Sequence, residues 1–148
     1  MTIEQAQSKD LIHIAALFDA YRVFYQQASD LQLALQFIQQ RYDLNESVIF
    51  YAQDEHGNYV GFTQLYPSFS SVSAKRSWIL NDLYVSKEYR SSGIGTLLLN
   101  KAKEFAIATQ AKGIALETAA SNIRAQKLYE SLGYHKDTEI SYFLNVQN

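Results

Sequence analysis

The residues best suited to chemistry fall in one stretch, Leu83-Tyr84-Val85-Ser86-Lys87-Glu88-Tyr89-Arg90-Ser91-Ser92-Gly93-Ile94-Gly95-Thr96, where a strand pattern feeds a short polar turn that opens a helix. That is the composition of an anion site. The first turn of a helix leaves backbone N–H groups without partners and carries the positive end of the helix dipole, so phosphate oxygens settle there. Gly93 and Gly95 remove side chains that would block close approach, while Arg90 and the hydroxyls of Ser91, Ser92 and Thr96 add donors. A pyrophosphate matches this set. The alternative is a helix start whose two glycines serve packing alone. A Walker phosphate loop is excluded because no lysine follows the glycines, and the dinucleotide fingerprint fails because position 98 is not glycine.

The elements that must hold this turn can be read outward from it. After Ile94, the residues Leu97, Leu98, Lys101, Ala102, Phe105 and Ala106 trace a helical stripe that should end near Lys112-Gly113, and Ile114 to Thr118 reads as a short buried strand. Ser121 or Asn122 should cap a further helix that Gly133 stops, and the tail from Tyr134 through Val146 alternates enough for one or two strands. Upstream, Ser8 or Asp10 should cap a helix carrying Leu11, Ile14, Phe18 and Tyr21 on one face. A second helix should start near Asp30, with Leu31, Ala34, Leu35, Ile38 and Tyr42 in period. Ser47 to Gln53 and Tyr59 to Tyr66 read as an antiparallel hairpin around Asp54-Glu55-His56-Gly57-Asn58; Pro67 to Ser73 reads as a loop and Ser77 to Val85 as the next strand. The order ααβββαβαβ(β) implies an α/β fold: a mixed, mostly antiparallel sheet with one parallel pair after a right-handed crossover, and helices on both faces.

Composition narrows the function classes. A chain of 148 residues with 47% hydrophobic content and no low-complexity stretch is expected to form a single domain over 1–148. Thirteen Lys and Arg against fifteen Asp and Glu give a net charge of -2, which supplies no field for gathering nucleic acid or an anionic membrane. The absence of cysteine excludes disulfides, Cys-ligated zinc and a thiol nucleophile. His13, His56 and His135 lie far apart with no spacing for shared ligation, so no metal is assigned. The N-terminus lacks the basic and apolar regions of a signal peptide, and a cytoplasmic protein is expected.

Arg90-x-x-Gly93-x-Gly95 after the Leu83-x-Val85 strand resembles the coenzyme-A signature of the GNAT superfamily of N-acetyltransferases. Asn122-Ile123-Arg124-Ala125-Gln126-Lys127-Leu128-Tyr129-Glu130-Ser131-Leu132-Gly133-Tyr134 is similar to the family's second motif, in the same order downstream. The resemblance implies acetyl-CoA as cosubstrate. The main chain of Leu83, Tyr84 and Val85 would pair with the pantetheine arm like an added strand. The turn Arg90, Ser91, Ser92, Gly93, Ile94, Gly95 and Thr96 would hold the pyrophosphate, with Asn122 and Ala125 beside the cofactor chain where parallel strands splay. Tyr129 matches the tyrosine that protonates the departing thiolate in many members; in this composition of eleven tyrosines it could also be a packing aromatic on its helix.

Transfer from a thioester to an amine passes through an oxyanion and needs a neutral amine, yet an amine of pKa near 10 is mostly protonated at pH 7. A proton acceptor is therefore required, and Asp82, Glu117 and Asn81 as a water-holder are the candidates. Ile79-Leu80-Asn81-Asp82-Leu83-Tyr84-Val85 resembles the polyamine (spermidine/spermine) and thialysine branch of the family, which often has Glu-Asp where this chain has Asn81-Asp82. An amide is no base, so the proton path should run through water to Asp82. The acceptor implied is a small polyamine, diamine or amino-acid-like amine, with Tyr21, Phe24, Tyr25 and the Tyr66 to Ser73 segment shaping its pocket and Asp19, Asp30 or Asp82 meeting a second charge. A protein or peptide acceptor, and a catalytically silent acyl-CoA sensor, are the alternatives. A homodimer is expected from the resemblance.

Overall fold

In the computed structural model, which describes residues 1–147, Met1–Glu117 form one compact unit and the residues from Thr118 onward a second. The first unit is built on a five-stranded sheet in the order β1-β2-β3-β4-β5, with β1 at Thr2–Gln5, β2 at Val48–Gln53, β3 at Tyr59–Ser70, β4 at Lys75–Val85 and β5 at Ile114–Ala115. The first four strands pair antiparallel; β5 joins β4 in parallel through Trp78↔Ile114 and Ile79↔Ala115. Among the described residues no helix is long and apolar enough to cross a membrane.

The alternation of β2 explains the two layers. Ile49 and Tyr51 share one face with Phe62 of β3, and there they meet Leu11, Ile14 and Phe18 of α1 (Leu11–Phe24) and Ala34 and Ile38 of α2 (Leu31–Asp43). Each large side chain fully buried in this cluster contributes about 1.5–3 kcal/mol. Phe50 points the other way, onto Phe105 of α3 (Ile94–Ala108) at 5.4 Å between ring centroids, and Trp78 packs on the same ring at 5.1 Å. The connection between α1 and α2 is tied by Asp19, whose carboxylate accepts from Ser29 Oγ at 2.6 Å and Asp30 N at 2.7 Å; Asp30 in turn caps α2 by accepting from Leu33 N at 3.0 Å.

Several elements differ from the sequence reading, each for a local reason. β1 is an added edge strand of four residues, mostly exposed and polar apart from Ile3, too short to carry a periodic signal. The segment read as a loop from Pro67 continues β3 to Ser70. Pairing with β2 ends at Leu65, so beyond it β3 has a single neighbour, and proline is tolerated on such an edge. The helix expected to reach Lys112 stops at Ala108, where Thr109 Oγ1 turns back onto Phe105 O at 2.9 Å and Gln110 takes a φ of 57°. Asp10 does not cap α1; its carboxylate accepts from Gln7 N at 2.8 Å and from the Tyr59 hydroxyl at 2.7 Å, closing the 3-10 turn Ser8–Asp10. In the second unit α4 spans Ile123–Ser131, capped by Asn122 Oδ1 on Ala125 N, and Gly133 at a φ of 97° ends it. No strand forms in the described part of the tail, although Ile140, Tyr142, Leu144 and Val146 alternate.

Candidate active site

Two features of β4 make room for chemistry. The strand leaves β5 after Ile79, so from Leu80 to Val85 its outer edge has no strand partner among the described residues. Opposite β3 the register jumps: Gln64 faces Asp82 but Leu65 faces Leu80, which leaves Asn81 as an extra residue in a β-bulge. A bulge breaks the ladder locally and frees main-chain groups of the bulged strand, a common arrangement beside reacting centres. Nothing in the local sequence announces a bulge, since no glycine marks it.

The bulge turns Asp82 inward. Asp82 is 3% exposed and Gln64 0%, both on the sheet face covered by α1 and α2. Gln64 Nε2 donates to Asp82 Oδ2 at 2.5 Å and lies 3.3 Å from the Tyr66 hydroxyl; Asn81 Nδ2 donates to Asp82 Oδ1 at 3.1 Å, and Thr63 Oγ1 donates to the Asp82 carbonyl at 2.8 Å. Gln64 Oε1 is buried without a partner. The Tyr21 hydroxyl donates to Asn81 O at 3.4 Å and also reaches the Asp82 carboxyl. Burial pushes the Asp82 carboxyl above the usual carboxylate range, against hydrogen bonds from Gln64, Tyr21 and Asn81 that favour its ionised form. Burial and then the Asp82 charge push the Tyr21 phenol far up and the Tyr66 phenol to about 12, so both stay neutral donors at working pH. The rings of Tyr25, Phe62 and Tyr84 stand 4.9–6.3 Å from that of Tyr21, whose hydroxyl reaches this acid.

Gln64 is the residue of this cluster that sequence reasoning missed; a lone glutamine in a strand carries no signal. The other candidate acids are placed elsewhere. Asp19 and Asp30 are engaged with the α1–α2 connection, and Glu117 is exposed.

The polar turn follows β4 directly. Gly93 is the N-cap of α3 at a φ of 86°, a left-handed conformation that glycine adopts without strain, and no side chain caps the helix. A Cβ placed on Gly93 or Gly95 would meet nothing within 4 Å. Open space over uncapped N–H groups is what a phosphate requires, so the residues present fit the pyrophosphate of a coenzyme-A thioester. Arg90 Nε donates to Val85 O at 2.8 Å, and its guanidinium lies 5.4 Å from the Tyr84 ring and 5.6 Å from the Phe24 ring. Ser92 Oγ donates to Tyr89 O, Ser91 sits at a φ of 65°, and Ile94 is buried as the anchor of the helix start.

In the second unit, Asn122 and Ala125 form the first turn of α4. Tyr129 is half-buried on the same helix, its ring 5.9 Å from that of Tyr134.

A sequence profile described as "Acetyltransferase (GNAT) family" matches residues 14–134. The chain is 50% identical over 147 residues to the uncharacterized N-acetyltransferase YhfO of Bacillus subtilis (strain 168), covering 99% of this chain and 98% of that protein. It is 33% identical over 134 residues to a probable acetyltransferase of Haemophilus influenzae (strain ATCC 51907 / DSM 11121 / KW20 / Rd), covering 90% of each. A crystal structure of a probable acetyltransferase superposes with a TM-score of 0.95 at 42% identity, covering 100% of this chain and 99% of that one. With the mixed sheet, the glycine turn at the start of α3 and these likenesses together, the chain belongs to the GNAT family of acetyltransferases and is an acetyl-transferring enzyme.

Proposed function

We propose that the protein transfers an acetyl group from acetyl-CoA directly to the primary amine of a small polyamine-, diamine- or amino-acid-like acceptor. The observation that carries this reading is the buried Asp82, held by Gln64, Asn81 and Tyr21 at the bulge and walled by aromatic rings. Bound acetyl-CoA supplies the activated acetyl thioester. Leu83, Tyr84 and Val85 offer the open strand edge to its pantetheine arm, and Ser91 through Thr96 the N–H groups for its pyrophosphate. Asp82 accepts the proton of the acceptor's ammonium, directly or through a water held by Asn81, while the aromatic wall excludes bulk solvent. Asn122 and Ala125 bind the cofactor chain, and Tyr129 donates the proton that leaves with the thiol.

Asp19 and Asp30 are engaged by the α1–α2 connection, which leaves Asp82 as the carboxylate available to the acceptor among the three acids considered. That favours an acceptor with one amine near the reacting centre over a long polyamine. The bovine thialysine N-epsilon-acetyltransferase, 35% identical over 80 residues and 54% of this chain, supports an amino-acid-like acceptor. The human N-alpha-acetyltransferase 30, 41% identical over 64 residues and 43% of this chain, keeps a peptide N-terminus as the second reading.

A homodimer belongs to the same proposal. Ile140, Tyr142, Phe143, Leu144 and Val146 are 79–94% exposed. A run of exposed apolar side chains of this kind marks an interaction surface.

Thiol release from acetyl-CoA, followed with thialysine, diamines, polyamines and short peptides, separates these readings. Turnover with a small amine supports the proposal; turnover with peptides alone replaces it by the second reading.

A further inference from the structure

From the contacts that hold the polar turn in place, we infer that Tyr89, anchored by Asp54, is the positioning residue that presets the turn for the pyrophosphate of the acyl donor. This inference rests on the reading of Ser91 through Thr96 as the pyrophosphate site. The Tyr89 hydroxyl donates to Asp54 Oδ2 at 2.7 Å across 35 residues of chain. Asp54 is itself a fixed point. Its carboxylate also accepts from His56 N at 2.9 Å, Asn58 N at 2.9 Å and Asn58 Nδ2 at 3.0 Å, and its main chain closes the β2–β3 turn through Asp54 N to Asn58 O and Gly57 N to Asp54 O. Hydrogen bonds from Asn58 and then Tyr89 hold this carboxyl well below the usual range, so it stays ionised.

Tyr89 is the root of the turn. Its N–H donates to Ser86 O, and its carbonyl accepts from Ser92 Oγ. Two residues of the turn, Ser91 at 65° and Gly93 at 86°, hold positive φ, and Ser91 does so as a non-glycine. Such backbone persists only where its surroundings determine it. The turn is pinned on one side by Arg90 on Val85 O and on the other by Tyr89 on Asp54, and these two ties fix where the first N–H groups of α3 point before any ligand arrives. Preset donors bind a phosphate without first having to be ordered.

The test compares calorimetric binding of acetyl-CoA with that of S-acetylpantetheine, which has the same thioester arm and lacks the pyrophosphate and nucleotide. Tyr89→Phe removes one hydroxyl from the protein surface. It should weaken acetyl-CoA roughly three- to tenfold and leave S-acetylpantetheine within about twofold. Asp54→Asn, approaching the same tie from the hairpin, should weaken acetyl-CoA in the same direction by less. Equal weakening of both ligands, or unchanged acetyl-CoA binding in Tyr89→Phe, overturns the inference. If the wild type binds both ligands equally, the pyrophosphate site itself falls, and the inference with it.

Discussion

Replacing Gly93 and Gly95 one at a time by alanine should move stability in opposite directions while weakening acetyl-CoA binding in both variants. Gly93 caps α3 at a φ of 86°, where an L side chain costs roughly 1–2 kcal/mol. In a chain of this size each kcal/mol shifts Tm by about 2–4 °C, so Gly93→Ala should melt about 2–8 °C lower. Gly95 lies inside α3 without positive φ, and alanine there gains roughly 0.5–1 kcal/mol, or about 1–4 °C. Neither methyl meets a protein atom within 4 Å, so what each displaces is ligand. Losing one hydrogen bond to a charged phosphate, at about 1.5–3 kcal/mol, corresponds to a ten- to hundredfold weaker Kd. Thermal melts and titration calorimetry with acetyl-CoA read both quantities on the same samples. A more stable Gly95→Ala that binds acetyl-CoA as well as the wild type would refute the reasoning, because the space above the turn would then not be where the phosphate lies.

Tyr21→Phe removes a donor that favours ionised Asp82, so the acid limb of the kcat/KM profile for the acceptor should move to higher pH; an unmoved limb separates Tyr21 from the base. Because the Asp82 pKa is raised in the fold, the stability linked to its proton is fully present below the unfolded value near 3.9 and is lost as pH rises through the folded one. Asp82→Asn carries no such charge, and its Tm should exceed that of the wild type at pH 7–8 by a margin that narrows toward pH 4; a constant or reversed margin contradicts this. If the proposed homodimer forms, the paired substitutions Tyr142→Asp and Leu144→Asp should give a monomer in light scattering, and a wild type that is already monomeric would dispose of that proposal.

How legible each part was depends on how far its cause lies along the chain. The helix start at Gly93, the beginning of α2 near Asp30, the cap at Asn122 and the Leu11, Ile14 and Phe18 face of α1 follow from neighbours within a turn or two, whereas Leu31, in period with Ala34 and Ile38, stays exposed because it lies at the very start of α2. The continuation of β3 past Pro67 depends on where β2 ends, which is information from another strand. β1 owes its existence to pairing with β2, for a single apolar residue, Ile3, among three polar ones specifies no strand alone. The site divides the same way. The polar turn can be found from its glycines, whereas the union of Gln64 with Asp82 depends on a one-residue slip between β3 and β4 that no local pattern encodes. The tail is the converse: its alternation is plain, and the expected strands do not form in the described part of it, because alternation becomes a strand only when a sheet covers one face.

The most direct test of the central claim is the rate of acetyl transfer from acetyl-CoA to a small primary amine, product identified by mass, for the wild type and Asp82→Asn side by side. The account predicts singly acetylated amine from the wild type and a rate about 10²- to 10⁴-fold lower from the variant, the usual contribution of a general base. Equal rates in the two proteins, or no acetylated small amine from a wild type that binds acetyl-CoA, would contradict it.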